Sequence, residues 1–281
     1  MESEIRLSFE FFPPKTEKGA EKLIGVRDAL AKYQPEFFSV TYGAGGSTRD
    51  NTKNIVCQFN DAGIATAPHL SFGGDDEASI ADLIGEYRSH GVNRIVALRG
   101  DRPSGSGSGT RMVYANELVA FIRKQFGDDM HLEVAAYPEI HPEAKSYSED
   151  IRYLKGKFEA GANSAITQYF FNPDAYFYFV EQCQAAGIDQ PIYPGIMPIS
   201  NYANLARFSD ACGAEIPRWM RKRLDSFGDD TDSIKAFGAE IVSDLCEVLL
   251  ENGAPGIHFY TMNQLEPTQT LLQNLGISAN D

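Results

Sequence analysis

A glutamate set among aromatic and proline residues, Ser8-Phe9-Glu10-Phe11-Phe12-Pro13-Pro14, is the first candidate for chemistry in this sequence. Burial disfavours the charged form of a carboxyl and raises its pKa, which suits a general acid near neutral pH. The competing reading is a carboxylate that reaches solvent or pairs with an arginine. Asp101 closes the run Ala97-Leu98-Arg99-Gly100-Asp101, whose glycine lets the backbone approach a ligand closely. An ordinary turn aspartate, or an ion pair with Arg99, fits the same residues. His69, after Ala67-Pro68, is a core histidine or a ligand contact. Tyr137, before Pro138, can stack on a flat ring or simply pack. Gln168, within Ile166-Thr167-Gln168-Tyr169, places an amide on a strand, where it needs partners that a ligand can supply.

Other chemistries find less support. Glu10, His69, Asp101 and His141 are the residues at strand ends that could ligate a metal, and they come from four strands with no paired His-x-His signature. No metal site is expected. Cys57, Cys183, Cys212 and Cys246 lack Cys-x-x-Cys spacing and are read as reduced, mostly buried thiols of a cytosolic protein. No Gly-x-Ser-x-Gly elbow and no strand-end lysine offers a covalent nucleophile.

The elements that must position these residues alternate. Strands are expected at Ile5–Phe11, Phe37–Thr41, Ile64–Leu70, Arg94–Leu98, Leu132–Tyr137, Ser164–Phe170, Ile192–Ile196 and Gly256–Tyr260. Several are apolar on both faces, as strands of a covered parallel sheet are. Helices are expected at Lys18–Tyr33, Arg49–Ala62, Glu77–His90, Tyr114–Phe126, Ser148–Ala160, Pro173–Ala186, Tyr202–Cys212 and Thr231–Asn252, with an extra one within Ala214–Gly228. Asn172-Pro173-Asp174 offers an N-cap, and Gly63, Gly91, Gly161, Gly187 and Gly253 stand where helices should end. The first strand ends Phe11-Phe12-Pro13-Pro14, which lacks the glycine turn of an open dinucleotide-binding sheet. The expected fold is a single-domain (β/α)₈ TIM barrel over residues 1–281, with its site at the C-terminal strand ends. The Arg102–Gly109 segment, rich in serine and glycine, reads as a mobile loop at that mouth.

The 281 residues carry 25 Lys+Arg against 39 Asp+Glu, a net charge of −14. Phosphate neutralisation supplies most nucleic-acid affinity, so this balance argues against a nucleic-acid partner, and equally against docking on anionic lipid. The densest basic stretch is Arg218, Arg221, Lys222 and Arg223. The acidic N-terminus has no signal-peptide pattern, and no apolar run reaches the length of a membrane span.

Taken together, Ser8–Pro14, Ser39–Ala44, Ala67–Leu70, Ala97–Asp101, Ala135–Glu139, His141–Ala144, Gly161–Asn163, Ile166–Gln168 and His258–Thr261 resemble methylenetetrahydrofolate reductases, in order and over nearly the whole chain. The resemblance implies a barrel that holds FAD and reduces 5,10-methylenetetrahydrofolate to 5-methyltetrahydrofolate with NADH or NADPH, by ping-pong hydride transfer. The setting it implies is one-carbon metabolism and methionine biosynthesis, in a cytoplasmic homo-oligomer, dimer or tetramer. Glu10 matches the family's acid, which assists opening of the folate's five-membered ring, and Asp101 a residue beside flavin and folate. FAD contacts would fall to Thr41, Tyr42, Ala44, His69, Arg99, Gly100, Asp101, Tyr114, Ala115, Tyr137, His141, Asp150 and Lys157. Substrate contacts would fall to Glu10, Asp101, Gln168, Asn204, Phe208, Tyr260 and Gln264. Gly156 replaces an expected cation beside the flavin phosphates, and Asn204 and Gln264 replace a longer glutamine and an arginine. The chain leaves no room for a C-terminal regulatory domain, so regulation by adenosylmethionine is not expected.

Overall fold

Alternating strands and helices wrap into a parallel barrel in the computed structural model, which describes residues 5–42, 49–73, 75–99 and 113–280. The strands are β1 (Arg6–Phe11), β2 (Phe37–Val40), β3 (Thr66–Leu70), β4 (Arg94–Ala97), β5 (His131–Ala136), β6 (Ser164–Thr167), β7 (Ile192–Tyr193), β8 (Gly195–Ile196) and β9 (Gly256–Tyr260). The helices are α1 (Glu17–Ala31), α2 (Arg49–Asp61), α3 (Glu77–Ser89), α4 (Ala115–Phe126), α5 (Tyr147–Glu159), α6 (Pro173–Ala185), α7 (Tyr202–Cys212), α8 (Arg218–Phe227), α9 (Thr231–Glu251) and α10 (Glu266–Asn274). All eight expected strands appear within a few residues of their expected bounds. The C-terminal helix α10 was not expected from the sequence. Asn172 caps α6 by accepting from the Asp174 N–H at 3.1 Å, and the five helix-ending glycines all adopt positive φ.

The sheet runs β7-β6-β5-β4-β3-β2-β1-β9-β8, every pair parallel. The expected seventh strand is therefore two pieces broken at Pro194: β7 pairs with β6, and β8 pairs with β9. Proline removes a ladder donor, so the barrel is sewn there by side chains. Thr167 Oγ1 accepts from the Gly195 N–H at 2.9 Å, and the Tyr260 hydroxyl donates to the Thr167 carbonyl at 2.6 Å. Only glycine fits this seam, because a Cβ on Gly195 would lie 2.1 Å from the Thr167 oxygen.

Period-two alternation sorts each strand's residues between two cores. Phe9, Phe11, Phe38 and Val40 face the helices and belong to the large outer core. Phe37, Ala67, Val96 and Ile166 form a small inner cluster within the barrel. At the N-terminal end lies Glu133, fully buried and answered by three partners. Arg94 pairs with it at 2.6 Å, the Ser164 hydroxyl donates at 2.6 Å, and His131 lies 3.1 Å away.

Candidate active site

At the C-terminal strand ends a cavity of about 500 Å³ opens above Val96 and Ile166 of the inner cluster. That volume is in the range of small-molecule sites. Of the residues singled out from the sequence, Glu10, Thr41, Tyr42, His69, Tyr137, Gln168, Phe208 and Tyr260 line it. They arrive from five strand ends, the β5–α5 connection and helix α7. Ala44, Gly100, Asp101 and the Arg102–Gly109 segment lie outside the described residues.

Among the described residues, Glu10 is the one carboxylate on the cavity wall. Its Oε2 lies 3.2 Å from His69 Nε2 and 3.4 Å from His258 Nε2, and His258 Nδ1 shares a 2.8 Å hydrogen bond with the Ser8 hydroxyl. Ser8 and Glu10 on β1, His69 on β3 and His258 on β9 all point inward because each sits on the inner phase of its strand. The raised pKa expected from burial is corrected here. Burial does push the Glu10 carboxyl up, but His69 and His258 outweigh it and hold the carboxyl down at about 2. His258 was given no role in the sequence reading. Its signal lay in period two, two residues before Tyr260 on the same face.

Gln168 is oriented by its neighbour: the Tyr169 N–H donates to Gln168 Oε1 at 3.0 Å, which leaves the amide NH₂ as a donor. The Tyr169 hydroxyl meets Ser209 Oγ at 3.0 Å and so ties α7, the helix that carries Phe208, to the end of β6. Burial raises the Tyr260 phenol well above its ordinary value, which keeps it a neutral donor.

A second group forms behind β5. Lys157 donates to the Ala135 carbonyl at 2.8 Å, and Ala135 lines the cavity. Burial of the ammonium pushes its pKa down to about 8, against the pull of Asp150. Asp150 Oδ2 accepts from the His141 N–H at 2.8 Å, and burial raises that carboxyl. The His141 ring stands edge-on to Tyr137 at 4.5 Å, and burial lowers the His141 pKa, with Arg99 adding to the effect. Arg99 pairs with Glu143. Gly156 stands one residue before Lys157 with open space around it, so packing does not require a glycine there.

Tyr114, Ala115, Asn204 and Gln264, like Arg99, His141, Asp150 and Lys157, do not line the cavity. Tyr114 is exposed at the N-terminus of α4, its N–H held by Glu117 at 2.8 Å, and Ala115 is buried behind it. Asn204 is exposed in the first turn of α7, where it accepts from Arg207 at 3.3 Å. Gln264 is half-buried in the turn after β9.

An FAD-sized dinucleotide would need a cation for its phosphates and polar contacts for its ring. Lys157 supplies a buried cation, and Tyr42 Oη and His69 Nε2 are buried without a well-aligned hydrogen-bond partner in the protein. The residues present fit such a group.

Comparisons with known proteins identify relatives of the whole chain. The profile of a family described as methylenetetrahydrofolate reductase matches residues 1–276. The 5,10-methylenetetrahydrofolate reductase of Escherichia coli strain K12 is 40% identical over 278 residues, covering 99% of this chain and 93% of that one. The Arabidopsis thaliana methylenetetrahydrofolate reductase (NADH) 1 is 37% identical over 98% of this chain and 49% of its own length. Among solved structures, an uncharacterized Clostridium thermocellum protein said to bind two copies of 5-methyl-5,6,7,8-tetrahydrofolic acid superposes with a TM-score of 0.66. It covers 97% of this chain and 94% of its own at 18% identity, a likeness of fold.

Proposed function

The chain belongs to the methylenetetrahydrofolate reductase family, and from that premise we propose that it reduces 5,10-methylenetetrahydrofolate to 5-methyltetrahydrofolate with NADH or NADPH as donor. The observation that carries the reading is the Glu10–His69–His258 cluster at the base of a cavity walled by flat aromatic side chains. Lys157, His141, Asp150 and Tyr137 would hold FAD on the β5 side, with Tyr42 and His69 nearer its ring. Bound there, the flavin supplies the hydride carrier that donor and folate meet in turn.

The residues of this chain do the rest. Opening the folate's five-membered ring needs a proton at a weakly basic nitrogen. In the free protein Glu10 is ionised, its carboxyl held down by the two histidines that face it. A ligand that fills the cavity expels water, raises the cost of the charge on Glu10 and draws the proton onto the carboxyl. Glu10 then donates it to the ring nitrogen. Gln168 offers amide N–H donors to the folate's ring, and Phe208 on α7 closes over its face.

Anaerobic spectroscopy tests this reading. NADH or NADPH should bleach the flavin absorption of the purified protein, and methylenetetrahydrofolate should restore it. A flavin that neither donor bleaches, or that the folate cannot reoxidise, refutes the proposal.

A further inference from the structure

The turn that follows β9 is built at a cost. Gln264 N–H donates to the Thr261 carbonyl at 2.9 Å, and the two residues between, Met262 and Asn263, have φ of 52° and 54°. Positive φ at both central positions with that hydrogen bond is the signature of a type I′ turn, which favours asparagine and glycine. Here the first position is a methionine, and no glycine relieves it. Non-glycine residues held at positive φ persist when surrounding contacts over-determine them, and such strain gathers at functional sites.

The contacts in question all land on the segment carrying Glu10. The Glu10–Tyr260 pair is the last rung between β1 and β9, so Phe12 leaves the sheet with its backbone groups unmatched on that side. Asn263 takes the place of a strand. Its Oδ1 accepts from the Phe12 N–H at 3.0 Å, and its Nδ2 donates to the Phe12 carbonyl at 2.8 Å. Thr261 Oγ1 donates to the Glu10 carbonyl at 2.6 Å and accepts from the Asn263 N–H at 3.2 Å. The turn thereby grips the backbone of Glu10 and of Phe12. It also sets Met262 and Phe12 on the cavity wall that Glu10 shares.

We propose that Asn263 is a positioning residue for the folate half of the reaction. Its side chain extends the β1 backbone's support past the end of the sheet and so fixes the Glu10 carboxylate, Phe12 and Met262 relative to the bound folate. The strain in the turn is what brings its amide to the Phe12 backbone. This inference rests on the functional reading above.

Asn263→Gly and Asn263→Asp test it. Glycine keeps the positive φ without strain and removes the clamp; aspartate keeps the acceptor for the Phe12 N–H and loses the donor. In Asn263→Gly, flavin content and bleaching by NADH or NADPH should stay within about twofold of wild type. Reoxidation by methylenetetrahydrofolate should slow by roughly ten- to a hundredfold, the effect expected of a misplacement of about 1 Å near a reacting centre. Asn263→Asp should fall between, and native-state hydrogen exchange should show the Phe12 amide losing protection in the glycine variant. A wild-type protein that fails either flavin step overturns the functional reading and this proposal with it. A wild type that passes both, with variants that match it or that slow equally in both half-reactions, overturns the proposal alone.

Discussion

Replacing Lys157 by methionine should make the flavin-free protein more stable and worse at holding its cofactor. The Lys157 pKa is pushed down from 10.5 to about 8 by burial of the ammonium. Below pH 8 the group is charged in both folded and unfolded states, and the folded state bears the penalty. Each pKa unit is worth about 1.4 kcal/mol, so burying this charge costs roughly 3 kcal/mol at neutral pH. As the pH rises from 8 towards 10.5, the folded protein sheds the proton first and the penalty fades. Methionine removes the charge with a stem of similar length and forfeits the bond to the Ala135 carbonyl, worth about 1 kcal/mol. The net gain is about 2 kcal/mol, or roughly 3 °C in melting temperature for a chain of this size. Thermal unfolding of flavin-free wild type and variant at pH 7 and pH 9.5 measures it. The gap should narrow at the higher pH, and the variant should bind FAD at least about tenfold more weakly, the worth of 1.4 kcal/mol. A variant no more stable than wild type at pH 7, or a gap that widens with pH, would refute the reasoning.

Glu10→Gln should keep FAD and bleaching by the nicotinamide donor while losing most of the reoxidation by methylenetetrahydrofolate; equal losses in both half-reactions, measured by stopped flow, would contradict the role given to Glu10. Because the Glu10 pKa is depressed from 4.5 to about 2, its contribution to stability is present above pH 4.5 and vanishes as the pH falls through 2. Acid titration followed by circular dichroism should therefore show wild type losing more stability than Glu10→Gln over that window, by about 3 kcal/mol at most. Gly195→Ala should destabilise the barrel by about 3 kcal/mol or more, since its methyl meets the Thr167 carbonyl at 2.1 Å, and calorimetry should show the melting temperature fall by at least about 5 °C.

The barrel was legible because its signals are local. Period-two runs, helix caps such as Asn172, and glycines such as Gly63 are each read from a few neighbouring residues, and all appear where expected. The break in the seventh strand was not read, although Pro194 stands in plain view, because its consequence depends on which strands lie on either side. Helix α10 was missed for a similar reason: the short segment Glu266–Asn274 is fixed by packing against α9. The charge state of Glu10 was misread most instructively. Its aromatic neighbours in sequence suggested a neutral acid, but its neighbours in space are His69 and His258, from strands that meet β1 only in the closed barrel. Lys157 could be singled out from the sequence, but its depressed pKa required knowing that the ammonium is enclosed. That Asn204, Gln264 and Tyr114 stand off the cavity wall was equally out of reach, since it depends on how their helices and turns are set around the barrel.

The two ends of the site differ in how far along the chain they reach. Around Lys157, His141 and Asp150 are 9 positions apart, and Lys157 and Ala135 are 22 apart. Around Glu10, that residue and His258 are 248 apart, and the Thr261 and Asn263 bonds to the β1 segment span 251. Joining ends that distant carries a loop-closure entropy of about 5 kcal/mol, against which local contacts form early and non-local ones late. The surroundings of Glu10 thus wait for both ends of the chain, because His258, Thr261 and Asn263 are among the last residues to be synthesised. A chain whose first and last strands have not met can gather the residues around Lys157 but leaves Glu10 without His258 and without the Thr261 and Asn263 bonds that hold its strand.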